Sequence, residues 1–372
     1  MNRISKLQAR LQDASLDALY VRDTANIAYL TQFEGVFDDE QAHALLVSDT
    51  TAVLHTDSRY AAAARHAAAK WSEEHGEECP VRVDDEASTH ATWLATQLSH
   101  SAPGIACLGI EDSISLAEYR KLEGELEQSV LRLQETSGFV QVLRALKDEA
   151  EIARLRAAQA ITDAAFAYIL TFMKPGMTEQ EVQRELDNYM FLHGASGLAF
   201  PTIVATGPNG ANPHAQPTDT VLEAGQCVVM DFGAKAAGYC ADMTRTVFLG
   251  QPEGQLLHAF EALREANEAA QAFLRPGLTG AQVHQRALDV LEAAGYGDKM
   301  GHGLGHGVGM EVHEEPLLSP RNTAELEAGN VVTVEPGIYI EGQFGMRLED
   351  YGLITENGFD VLTQSSHDLF II

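Results

Sequence analysis

The sequence predicts an α+β protein of two domains, an α/β N-terminal domain over residues 1–140 and a C-terminal domain of two related halves over residues 141–372. Three observations carry that prediction. Short apolar runs alternate with Ala-rich stretches in the first third, a long helical pattern marks the junction, and an internal repeat organises the remainder. The length of 372 residues suits two well-packed domains.

In the first domain DALYVR, HALLVS, TAVLHT and IACLGI read as short strands, with a helix over the Ala-rich stretch at 58–71. The opening segment spaces Ile4, Leu7, Leu11 and Leu16 as a surface helix does and has no apolar centre for a signal peptide. No apolar run approaches the ~18 residues of a membrane span, so a membrane protein is not expected and the cytoplasm is. The formal charge of −29, from 54 acids against 25 bases, repels phosphate backbones and argues against a nucleic-acid partner. Cys79, Cys107, Cys227 and Cys240 have no paired spacing and read as buried thiols in a reducing compartment. A helical pattern then runs from 139 to 173 and stops at Pro175-Gly176.

The repeat places the chemistry. FMKPGMTEQEV (172–182) recurs as FLRPGLTGAQV (273–283), an offset of 101, and LEAGQCVVMD (222–231) recurs as LEAGNVVTVE (326–335), an offset of 104. In each first copy Pro-Gly ends one helix and Thr178 or Thr279 is placed to cap the next. Each second copy ends on an acid, Asp231 or Glu335, and His214 and His313 lie 99 apart between the two signals. Two units are too few for a solenoid, so a closed pair about a pseudo-twofold axis is expected.

Each half also reads as a hairpin. Centred on Ala236 and Ala237, the first sets Asp231 opposite Asp242; centred on Gly342, the second sets Glu335 opposite Glu349. Opposed like charges are destabilising, which calls for a cation between them. The segment GHGLGHGVGM (301–310) has glycine at every odd position, so an extended conformation puts His302 and His306 on one face. A phosphate-cradling loop is the rival reading, and it lacks the lysine and following helix of such loops. Four carboxylates and one imidazole are too oxygen-rich for structural zinc, and the imidazole argues against a plain magnesium or calcium cage. Manganese, cobalt, iron or zinc fit, and charge balance favours two divalent ions that together activate a water and polarise a carbonyl.

The motifs DFG-x8-DMTRT, HGxGHGxG, VEPG and RLED resemble those of the pita-bread metallopeptidases, specifically the Xaa-Pro branch of prolidases and aminopeptidase P. NIAYLT (26–31) and TDSRYA (56–61) resemble that branch's creatinase-like N-terminal domain. The resemblance implies a pita-bread catalytic domain whose metal ligands are Asp231, Asp242, His306, Glu335 and Glu349, with two divalent ions, manganese foremost and cobalt or zinc as alternatives. It makes Glu335 the acceptor of the proton from the attacking water. It places His214, His302 and His313 against the scissile peptide, supported by Tyr339 and Arg347. The substrates implied are small peptides with proline in second position, the assembly a homodimer, and the activity an Xaa-Pro aminopeptidase, with an Xaa-Pro dipeptidase as the alternative. The dipeptidase needs a reader for the free proline carboxylate, for which Arg321 and Arg347 are available. Metal-free creatinase-like enzymes and non-catalytic binding modules of the same fold have lost ligands that are present here, and a methionine aminopeptidase would lack the first domain. The resemblance also suggests that Phe37, Asp38 and Asp39 shape substrate choice.

Overall fold

The computed structural model describes residues 2–38, 40–100, 104–127 and 131–372, and the chain divides into two compact units, Met1–Arg144 and Ala145–Ile372. In the first unit a six-stranded sheet comprises β1 (Ala18–Val21), β2 (His43–Ser48), β3 (Ala52–Thr56), β4 (Val81–Asp84), β5 (Cys107–Glu111) and β6 (Arg132–Thr136), in the order β4-β3-β2-β1-β5-β6. Only β2 runs against its neighbours; the other pairings are parallel. Five strands therefore end at one edge, and the helices that follow them start there. The helices of this unit are α1 (Arg3–Asp13), α2 (Thr24–Thr31), α3 (Ser58–His75), α4 (His90–His100) and α5 (Leu116–Leu126). α1 buries Ile4, Leu7 and Leu11, the face its spacing predicts. Tyr20, Leu46, Trp93, Leu108 and Ile110 form the core beneath the sheet.

The predicted junction helix is two helices. α6 (Gln141–Ala145) stops, Leu146 forms a bridge to Asn330, and α7 (Glu149–Phe172) begins afresh behind Asp148. Asp148 accepts from the Glu151 amide while the Glu151 carboxylate accepts from the Asp148 amide, a capping box that fixes a new start where periodicity alone read through.

The second unit repeats itself as its sequence does. α7 and α8 (Glu179–Leu192) precede β7 (Gly197–Leu198), β8 (Ile203–Thr206), the turn-length α9 (Gly207–Gly210), β9 (Cys227–Phe232), β10 (Ala234–Ala236), β11 (Tyr239–Cys240) and β12 (Met243–Phe248). α10 (Gln255–Phe273) and α11 (Gly280–Ala293) precede β13 (Gly305–Gly307), β14 (Glu314–Leu318), β15 (Val331–Val334), β16 (Gly337–Ile340), β17 (Phe344–Arg347), β18 (Asp350–Thr355) and β19 (Gly358–Val361). Thr178 with Glu181 and Thr279 with Gln282 both form capping boxes, each worth about 1 kcal/mol. The amides of Gly176 and Gly277 donate to the carbonyls of Leu222 and Leu326, both at 2.9 Å, so the two copies share backbone connections as well as letters. Helices pack on strands in two main cores, one around Phe166, Val182, Leu186 and Met230, the other around Leu263, Val283, Leu291 and Val334.

Candidate metal centre

The two long hairpins carry the acids, and the first differs from its sequence reading. Lys235 pairs with Cys240 and Asp231 with Thr244, so the turn lies at Ala237-Gly238 and the register is two residues from that predicted. Asp231 faces Thr244, not Asp242. Gly238 takes φ +78 and Ala237 φ +49, so the chain reverses where glycine tolerates a left-handed conformation, a choice alternation of apolar residues cannot locate. Asp242 sits two positions along the strand from Thr244 and so keeps to the Asp231 face. The second hairpin keeps the predicted register. Val334 pairs with Asp350 and Gly337 with Arg347, which leaves Glu335 and Glu349 facing each other at the break between the strand segments.

The glycine-alternating segment is a strand only over Gly305–Gly307. Its glycines serve close approach: a Cβ on Gly305 would meet the Thr333 carbonyl and one on Gly307 the Glu315 carbonyl. His306 is thereby pressed into the acids. Its Nδ1–H donates to the Gly307 carbonyl at 3.0 Å, so Nε2 carries the lone pair, 3.3 Å from Glu335 Oε1 and 3.6 Å from Asp242 Oδ2. His302 repeats the device, donating from Nδ1 to the Gly303 carbonyl at 2.7 Å and leaving Nε2 to accept from the Tyr339 hydroxyl at 3.2 Å.

The structure thus brings together one ligand atom each from Asp242, His306 and Glu349, all within 4.8 Å of one another, with Glu335 against His306. Asp231 stands with Arg347, whose Nη2 donates to Asp231 Oδ2; Asp231 Oδ1 is buried without a hydrogen-bond partner. Arg347 also donates to Tyr339 Oη (2.7 Å), Thr244 Oγ1 (3.0 Å) and the Pro213 carbonyl (3.2 Å). His313 packs edge-on to His306, with ring centroids 4.4 Å apart. His214 is the outlier: exposed on its loop, it still lies near enough to lower the pKa of both His302 and His313.

Burial, then the charges of Glu349 and Asp231, drive the Asp242 carboxyl well above its ordinary range; burial, then Glu335 and Asp231, do the same to Glu349. Glu335 is raised by burial against the opposing pull of Arg347. Burial holds His302, His306 and His313 below their usual value, and so neutral. Neutral imidazole nitrogen facing carboxylate oxygen, with a bare Asp231 oxygen beside them, is acceptor against acceptor, and a divalent cation satisfies it. The donor set fits the ions it was expected to hold.

A stability prediction follows, for the protein stripped of cations. A carboxyl whose folded pKa is raised stabilises fully below its unfolded value and loses that contribution as pH rises through the folded one. Between 6.5 and 9.0, the ordinary values of histidine and cysteine, the histidines lowered by burial no longer set the slope, and His367, whose pKa the Asp350 bond raises against burial, adds to the fall. In that window the melting temperature of the stripped protein should fall as pH rises, and added manganese should flatten the fall. A rise with pH in calorimetry, or indifference to manganese, would contradict the electrostatics described.

Four supporting residues were not singled out from sequence. Thr244 donates to Glu349 Oε2 at 2.6 Å and Thr333 to Glu335 Oε1 at 3.2 Å, each hydroxyl fixing one acid. Arg245 and Asp350, ion-paired at 2.6 Å with side chains only 1% exposed, lie behind them. Arg245 donates to the Glu349 and Thr244 carbonyls (2.6 and 2.9 Å), and Asp350 accepts from Gln271 and from His367. Asp350 is held at about 2: Arg245 and the His367 hydrogen bond outweigh burial, the largest influence and one that raises it. The available signal was their place inside DMTRT, VVTVE and RLED, polar letters in strands otherwise buried.

Residues 153–356 match the model of metallopeptidase family M24, and residues 3–146 match that of the creatinase/prolidase N-terminal domain. A relative named Xaa-Pro dipeptidase from Lactobacillus helveticus is 33% identical over 99% of this chain and 98% of its own. The solved structure of an Xaa-Pro dipeptidase from Bacillus anthracis superimposes with a TM-score of 0.90 at 34% identity, covering 100% of this chain and 99% of that one. An X-Pro aminopeptidase from Thermotoga maritima MSB8 gives a TM-score of 0.85 at 32% identity, over 98% and 100%.

Proposed function

The chain belongs to metallopeptidase family M24, with the creatinase-type N-terminal and pita-bread C-terminal domains of that family, and from this we propose that it is an Xaa-Pro dipeptidase, a prolidase. The aminopeptidase favoured by the motifs gives way to its alternative, because the relatives named as dipeptidases are the better matched over the whole chain. Of the two arginines able to read a free proline carboxylate, Arg347 is committed to Asp231, Tyr339, Thr244 and Pro213; Arg321 is exposed and remains for that role.

The observation that carries the catalytic reading is the meeting of Asp242, His306 and Glu349 within 4.8 Å, flanked by Glu335 and Asp231. In this proposal these five residues hold two divalent ions, manganese foremost, which when bound supply Lewis acidity and lower the pKa of a water. The chain's own groups do the rest. Glu335 accepts the proton of the attacking water, its carboxylate oriented by Thr333. His302 and His313 are kept neutral by burial beside the scissile amide; His302, its Nδ1–H held by the Gly303 carbonyl, has only Nε2 with which to accept a hydrogen bond, and His214 contributes from the exposed loop. Arg347 fixes Asp231 and Tyr339, so the site is organised before substrate arrives. The imide nitrogen of proline has no hydrogen, so recognition falls on ring shape and on the carboxylate. A cytoplasmic homodimer belongs to the same reading; among the described residues no helix is long and apolar enough to cross a membrane.

Manganese-loaded protein offered Ala-Pro and Ala-Pro-Ala side by side should cleave the dipeptide with kcat/KM at least roughly tenfold higher, a charge-assisted contact to the carboxylate being worth that much. Equal or faster cleavage of the tripeptide would return the aminopeptidase reading.

Of the loop residues expected to tune specificity, Phe37 packs edge-on to His43 (centroids 4.9 Å) and Asp38 accepts from the Tyr60 hydroxyl at 2.7 Å; Asp39 lies outside the described residues.

A further inference from the structure

The N-terminal unit contains a cavity of about 970 Å³ at the edge where its parallel strands end. The first turns of α3, α4 and α5 reach it through Ser58, His90 and Ala117, so three helix N-termini present their partial positive ends to one space. Helix ends alone do not make a site.

A second feature points to a ligand. Arg22 lines the cavity and is only 9% exposed. Its Nε donates to Glu118 at 2.5 Å and its Nη2 to the Gln41 carbonyl at 3.1 Å, while Nη1 has no partner. The hydroxyl of Ser88, also on the lining, is buried and likewise unpartnered. Buried donors are rarely left so, and a guanidinium least of all. Of the five carboxylates on the described lining four are taken, Glu118 by Arg22 and Tyr20, Asp57 and Glu40 by Arg59, Asp85 by Arg65, and the fifth, Glu86, is exposed. Lys121 adds a further cation on the lining. The field is felt by His90, which burial first, then Arg22 and the imidazoles of His55 and His43, push down to about 3.

From this convergence of one unpartnered nitrogen on the buried Arg22 guanidinium, the unpartnered Ser88 hydroxyl and three helix N-termini, we propose that the N-terminal unit binds a small oxyanion, the phosphate or carboxylate group of a metabolite-sized ligand. Neither the proposed peptidase activity nor its metal ions require such a site.

The protein contains its own reporter. Trp93 stacks on His55, which lines the cavity, with centroids 4.6 Å apart and planes 7° from parallel. The chain has two tryptophans, and the other, Trp71, stacks on His75, so Trp71→Phe leaves Trp93 as the sole signal. Full-length W71F protein, metal-loaded and stripped, would be titrated with inorganic phosphate and with acetate through the millimolar range, against sodium chloride of matched ionic strength. We expect a saturable change in Trp93 emission with at least one oxyanion, the same with and without metal; the tighter of the two identifies phosphate or carboxylate as the preferred group. Adding Ala87→Glu, an exposed position on the lining, should weaken the midpoint by about tenfold or more through like-charge repulsion. Arg22→Lys, which keeps the charge and loses the fork, should weaken it as well. No response beyond chloride, or a response that A87E leaves unchanged in a protein of normal melting temperature, would overturn the proposal.

Discussion

Asp242→Ala should abolish metal loading and peptidase activity together while leaving the stripped protein at least as stable as its parent. Asp242 is 4% exposed and contributes one of three ligand atoms that meet within 4.8 Å. Its removal leaves His306 Nε2 and Glu349 without the carboxylate that completes their cluster. The stability half of the result separates this loss from misfolding. In the absence of cations Asp242 is a buried acid repelled by Glu349 and Asp231, so deleting it removes a repulsion along with a ligand. Metal content by elemental analysis, turnover of Ala-Pro and a melt of the stripped protein check the three parts. Retention of full metal content would remove Asp242 from the ligand set.

His313→Ala should give the opposite pattern, full metal content with turnover reduced by roughly 10² to 10⁴. His313 meets the centre edge-on to the His306 ring, 4.4 Å between centroids, and is not among the residues whose ligand atoms meet there, Asp242, His306 and Glu349. Its expected contribution is to the reacting amide, so kcat should carry most of the loss, with the metal titration unmoved. If the variant also failed to load metal, the separation between residues that hold the ions and residues that hold the substrate would be wrong at this position.

The residues behind this contrast are legible in the sequence to different degrees. The repeat made the second unit legible because both copies use the same local devices: a Pro-Gly stop, a threonine cap, and a strand ending on an acid. Those devices are short-range, and Thr178 and Thr279 cap their helices as their letters say. Glu335 and Glu349 were paired correctly because a single glycine, Gly342 at φ +71, marks the turn between them. The Asp231 hairpin was misregistered by two residues because its turn falls on Ala237, a residue with no turn preference, beside Gly238. The split between α6 and α7 was missed because it rests on Asp148 capping a new helix, in a run whose charge pattern reads as continuous helix. Thr244, Arg245 and Asp350 were out of reach for another reason: their roles come from contacts between strands about a hundred residues apart, such as Arg245 to Asp350, whereas Thr333 holds Glu335 only two residues on. A single sequence shows that they are polar and lie in strands, not which acid each one holds.

The central claim is that Asp231, Asp242, His306, Glu335 and Glu349 hold two divalent ions in one site. Anomalous diffraction from a crystal of the manganese-loaded protein tests it directly. The expected result is two peaks about 3.5 to 4 Å apart, enclosed by those five side chains, with Asp242 and Glu349 shared between them. A single peak, or peaks ligated by a different set of residues, would contradict it.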